Sequence, residues 1–142
     1  MTMQCSIPMA RMELLDPLSI RANNDYNKME MKEEPTLFLE FHGSDASIES
    51  QTQMVADIAK DNGGSDFAWA TKQEDRNKLW TARHKLHYAS LNLKPGSRSV
   101  TTDVCVPISK LPEMVVATRE DIDKSGITGP IFGKRRPLVH KR

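Results

Sequence analysis

The sequence predicts an α+β fold, a mainly antiparallel sheet with helices on one face. Two observations lead there. Strand-like and helix-like periods alternate along the chain in the order β-α-β-α-β-α-β-α-β. The strand-like segments are also half polar, so each shows one face to a core and one to water, whereas strands of a doubly wound parallel sheet are buried on both sides.

Each element has its own signal. IPMARMELL (7–15) alternates loosely and reads as a strand, and Asp16-Pro17 starts a helix to about Met31, an N-cap acid followed by proline at the first helical position. Glu33, Glu34 and Pro35 break that helix, and TLFLEFHG (36–43) is the clearest strand, ended by Gly43. Ser44 and Asp45 offer caps for an amphipathic helix with Ile48, Val55 and Ile58 on one face, stopped by Asn62-Gly63-Gly64. DFAWA (66–70) reads as a third strand. From Lys72 to about Leu93 the positions Leu79, Leu86, Ala89 and Leu93 keep helical spacing until Pro95-Gly96. SVTTDVCVP (99–107) is a β-branched strand, Ser109 opens a helix through about Lys124 with Pro112 in its first turn, and Gly126 closes it. ITGPIFG (127–133) is the fifth strand.

A chain of 142 residues holds one domain with a real core and is too short for two ordinary ones. Its 38% hydrophobic and 27% charged residues are ordinary for a globular protein, and no apolar run approaches the ~20 residues of a membrane span. Of its 20 basic residues five (Lys134, Arg135, Arg136, Lys141, Arg142) fall in the acid-free tail 134–142, so the preceding body is mildly acidic, which disfavours a nucleic-acid face. The tail itself reads as an unstructured segment rather than a nuclear address. Cys5 and Cys105 fit no CxxC pattern and match a reducing compartment. The N-terminus has neither the apolar run of a signal peptide nor the acid-poor composition of a transit peptide, so no targeting segment is visible.

No glycine-rich phosphate loop, HExxH, GxSxG or zinc-ligand spacing is present. The strongest local constellation is RNKLWTARHKLHYASL (76–91), where Trp80, Arg83 and His87 at i, i+3 and i+7 share a helix face. Arg83 could hold a substrate carboxylate, because its planar fork matches two carboxylate oxygens. The plain alternative is a solvated basic face with an amphipathic tryptophan at its edge. His84 points about a quarter-turn away and forms no metal pair with His87. His42 reads as a surface histidine, Met9, Met12, Met29 and Met31 as core filler, and Asp103 as a solvent-facing strand position.

Four segments carry a resemblance: PTLFLEFHGS (35–44), DNGGSDFAWA (61–70), LWTARH (79–84) and TDVCVPISKLPEMV (102–115). Through them the chain resembles the mitochondrial FAD-linked D-lactate dehydrogenases, in the vanillyl-alcohol-oxidase-type flavoprotein superfamily, over about 7–131. The resemblance implies that residues 1–133 are part of an FAD-linked oxidase C-terminal domain, the substrate-side cap, and that 134–142 is a non-homologous basic tail. It implies oxidation of D-lactate to pyruvate by hydride transfer to FAD, with cytochrome c as electron acceptor and the mitochondrion as location. It matches Arg83 to the arginine that clamps the substrate carboxylate, sets His87 and Thr101 beside the substrate, and puts Trp80 beside the cofactor. His87 departs from the aromatic residue often found at its position, and Thr101 stands where dicarboxylate-using relatives have lysine, which suits a short monocarboxylate. The family continues after the fifth strand into Gly-His-x-Gly-Asp-Gly-x-x-His, whose histidines bind a divalent metal. KRRPLVHKR stands there instead, and His140 does not match those ligands. The expectation is therefore a segment without catalytic or metal residues, without the FAD-binding domain, not retaining FAD and inactive alone. The alternative is a non-catalytic interaction module that binds the full-length parent.

Overall fold

The computed structural model describes residues 7, 9–64 and 67–134. Cys5, His140 and the basic tail beyond Lys134 lie outside them. Three strands, β1 (Met9–Leu15), β2 (Thr36–Phe41) and β3 (Phe132–Lys134), form an antiparallel sheet in the order β2-β1-β3. Five α-helices accompany it: α1 (Pro17–Asn27), α2 (Asp45–Asp61), α3 (Gln73–His84), α4 (Leu86–Asn92) and α5 (Leu111–Ser125). A 3-10 turn at Ile108–Lys110 leads into α5. The architecture is α+β, as the half-polar strands predict.

The corner between β1 and α1 organises the molecule. Asp16 is the N-cap of α1: its carboxylate accepts from Ser19 N–H at 2.8 Å, while Pro17 loses nothing by lacking an N–H at the first helical position. The backbone N–H of Asp16 donates to the Ile131 carbonyl at 3.0 Å, and the Ser19 hydroxyl donates to the same oxygen at 3.1 Å. One carbonyl thus ties the far end of the chain to the first helix. The helix closes at Lys28, which takes the left-handed conformation at φ 53°, and the Asn24 side chain bridges to both backbone groups of Met31.

Pleat alternation puts Leu15, Glu13 and Arg11 on one face of β1, opposite Thr36, Phe38 and Glu40 of β2. That face carries the core. Leu15, Ile20, Ala22, Phe38, Leu86 and Ala89 are buried together, with Met31, Leu79, Trp80, Leu93 and Phe132 packed around them. Helices α1, α3 and α4 therefore cover this side of the sheet. Leu14, on the opposite face, borders a cavity of about 330 Å³ lined also by Pro17, Pro35, Val115, Val116 and Ile131.

Four sequence expectations differ from the fold. Residues 67–70 and 99–107 form no strand. β-propensity stabilises a chain only when a neighbouring strand completes its ladder, and none does here: Val100 is 91% and Val104 60% exposed. The expected strand over 127–133 is ordered as a strand only over Phe132–Lys134, where β1 accepts it. The single helix expected over 72–93 is two, separated at Lys85, whose φ −82° and ψ 0° leave the helical region. Among the described residues no helix is long and apolar enough to cross a membrane.

Candidate functional site

Helix α3 delivers Arg83 to the core face of the sheet. Its Nε forms an ion pair with Glu13 Oε2 of β1, and its guanidinium carbon lies 4.8 Å from the centre of the Phe132 ring of β3. The two side chains are only 16% and 10% exposed. Such a pair is held because removing one charge leaves the other buried and uncompensated, typically at ~3–5 kcal/mol, unlike the ~0–1 kcal/mol of an exposed pair. The paired atoms are themselves buried and make no aligned hydrogen bond. Among the described residues the two terminal amino groups of Arg83 donate no hydrogen bond. The guanidinium is anchored on one edge and has donors left on the other.

One turn earlier, Trp80 meets the Phe38 ring edge-on at 6.2 Å and 83°, with the Arg11 guanidinium 4.2 Å over its own ring. Arg11 in turn pairs with Glu40 at 3.5 Å. Trp80 and Arg83 thus share one wall, built by α3 over β1, as their spacing predicts. His87 does not join it. The break at Lys85 separates the helices, and His87 is exposed on α4 with its ring 5.6 Å from that of Tyr88. Thr101 is exposed in the irregular segment before the 3-10 turn. His84 is exposed with Nδ1 2.6 Å from the Trp80 carbonyl, and exposed His42 has Nε2 3.2 Å from Glu40, in keeping with its surface reading. Asp103 is exposed, outside any strand. Met31 packs on the core. Among the described residues no three His, Cys, Asp or Glu side chains are grouped to hold a metal ion.

Sequence reasoning missed Glu13, Arg11 and Phe132. A signal for Glu13 existed. It lies two residues before Leu15 in a strand, so the same pleat that buries Leu15 turns Glu13 inward. The partner that makes its burial tolerable comes from residue 83 and was not readable from spacing.

Arg83 and Trp80 thus lie together at the junction of α3 with the sheet. Residues 1–134 match the model of the FAD linked oxidases, C-terminal domain, and the chain belongs to that family. It is 50% identical over 131 residues to a protein named probable D-lactate dehydrogenase, mitochondrial, of Danio rerio, covering 92% of this chain and 26% of that protein. It is 40% identical over 126 residues to the D-lactate dehydrogenase [cytochrome], mitochondrial, of Arabidopsis thaliana, covering 89% and 22%, and 31% identical over 138 residues to the protein of that name in Kluyveromyces lactis, covering 92% and 24%. The chain spans about a quarter of the length of these relatives.

The described residues do not fit the pyrophosphate of FAD. A dinucleotide phosphate needs a helix N-terminus with free N–H groups and no competing anion. Here α1 is capped by Asp16, and Asp45, Glu74 with Asp75, and Glu113 occupy the first turns of α2, α3 and α5. Each long helix start thus already carries an acid.

Proposed function

We propose that these residues form the substrate-side wall of a mitochondrial flavoprotein that oxidises D-lactate to pyruvate, FAD taking the hydride and cytochrome c the electrons. The observation that carries the reading is Arg83, anchored on one edge by Glu13 and with terminal donors that make no hydrogen bond among the described residues. A planar fork in that state suits a small carboxylate, which it binds through two parallel N–H bonds that also orient the adjoining C2–H bond. Trp80 closes the wall beside the arginine and keeps water from it, with the cofactor's edge beyond. His87 and Thr101 reach the substrate only when the segments carrying them pack against the rest of the flavoprotein. The family's divalent metal and its ligands belong to that rest as well. These residues by themselves hold no cofactor and turn nothing over.

A second reading, an interaction module that docks on the full-length parent, is favoured by the exposed apolar side chains of Val100, Val104, Ile108, Val116 and Ile127. The two readings separate in one experiment. In the complete flavoenzyme carrying this segment, Arg83→Ala should lower kcat/KM for D-lactate, read by dye reduction, by roughly 100-fold, since an unpartnered carboxylate costs several kcal/mol. Arg83→Lys should recover only part of it, because a point charge cannot reproduce a two-bond fork. Parental kcat/KM in both variants, with FAD bound, would overturn the carboxylate role and leave the docking reading.

A further inference from the structure

We propose that Glu13 is the positioning residue for Arg83: it holds the guanidinium by its Nε edge, so that the terminal amino groups stay aimed as a preformed fork for a monocarboxylate. The inference rests on the carboxylate role of Arg83 given above and goes beyond it. An arginine side chain has four rotatable bonds, and an unanchored one must be ordered when its ligand arrives. Three contacts remove that freedom here. Glu13 pairs with Nε, the Phe132 ring lies under the guanidinium plane at 4.8 Å, and α3 fixes the Cα. The first two come from adjacent strands of one sheet, β1 and β3, with Leu15 paired directly to Phe132. The anchor is therefore as rigid as the sheet.

The division of the guanidinium makes the assignment specific. A carboxylate that occupied both terminal amino groups would compete with a substrate. Glu13 pairs through Nε instead, and the terminal groups donate no hydrogen bond among the described residues. Lys134, across the strand from Glu13 in register, is exposed and forms no ion pair with it, so the buried carboxylate is committed to Arg83.

The test uses the complete flavoenzyme with FAD bound and reads two quantities, the Kd of pyruvate by calorimetry and the KM and kcat for D-lactate. Glu13→Gln keeps the shape and removes the charge. It should raise pyruvate Kd and D-lactate KM together by roughly tenfold, as expected when one mostly buried ion pair no longer orients its arginine, with kcat within about twofold of parental. Glu13→Asp keeps the charge one methylene further back and should raise both by about threefold. In an Arg83→Ala background Glu13→Gln should add no further loss, because Glu13 acts only through Arg83. Pyruvate affinity equal to or tighter than parental in Glu13→Gln, or an equal loss in both backgrounds, overturns the inference while Arg83 keeps its role. An Arg83→Ala protein with parental affinity overturns the carboxylate reading and this inference with it. Should Glu13→Gln fail to fold, Glu13→Asp decides alone, and an unchanged Kd there overturns the inference.

Discussion

Asp16 does two jobs at one position, and each is visible at the scale of single bonds. Its carboxylate caps α1 through Ser19 N–H, lies 3.4 Å from an Arg119 terminal nitrogen, and is itself only 5% exposed. Arg119 also donates to the Gly129 carbonyl at 2.8 Å and pairs with Asp123 at 2.8 Å. Losing the cap costs ~1 kcal/mol, and leaving Arg119 short of one partner in a partly buried place adds a similar amount. Asp16→Ala is therefore expected to lower unfolding stability by about 2 kcal/mol, seen as a lower urea midpoint at unchanged slope. A midpoint equal to the parent's would show that the corner is held by backbone bonds alone. Asp16-Pro17 was legible in the sequence as a helix start because a cap is a local event. The partner 103 residues away was not, since nothing local demands it.

At the scale of elements the same division between local and distant holds. The helices that begin at Pro17, Asp45 and Leu111 and the strand that begins at Thr36 were legible because caps, breakers and periodicity lie within a few residues, although the first helix ends at Asn27, short of the expected Met31, and the strand at Phe41, short of Gly43. SVTTDVCVP was read as a strand on equally good local grounds, and its β-branched residues do favour extended backbone. A strand, however, is a pair property, and the described residues give this one no partner. Val100 and Val104 remain exposed for that reason. The expected consequence is kinetic: backbone amides of 99–106 should exchange with deuterium at close to free-chain rates, while the alternate β2 amides that are bonded to β1 are protected. Hydrogen exchange with mass-spectrometric readout checks it. Protection of 99–106 matching that of β2 would mean that a partner strand forms in solution. The break at Lys85 belongs here too, because it separates Arg83, which enters the core face, from His87, which does not.

At the scale of the whole molecule, the sheet and three helices make a real core, but the site they position has one wall. In the role proposed above, Arg83 and Trp80 meet a substrate carboxylate from one side. The cofactor half of the chemistry asks for more than this wall. FAD is gripped through its pyrophosphate, which needs N–H groups of a helix start or glycine-rich loop facing the phosphates without a nearby carboxylate. Every long helix among the described residues begins under an acid, from Asp16 on α1 to Glu113 on α5, and a carboxylate there repels phosphate, while on α1 it also takes the Ser19 N–H that phosphate would use. Edge contact with Trp80 alone is too small to retain a dinucleotide, since one of its faces is already covered by the Arg11 guanidinium. The 142-residue chain, expressed and purified alone, is therefore expected to be colourless and to lack flavin absorbance even after incubation with excess FAD and desalting. A protein-bound flavin spectrum at near-stoichiometric occupancy would sink this, and would mean that a phosphate grip forms outside the helix starts described above.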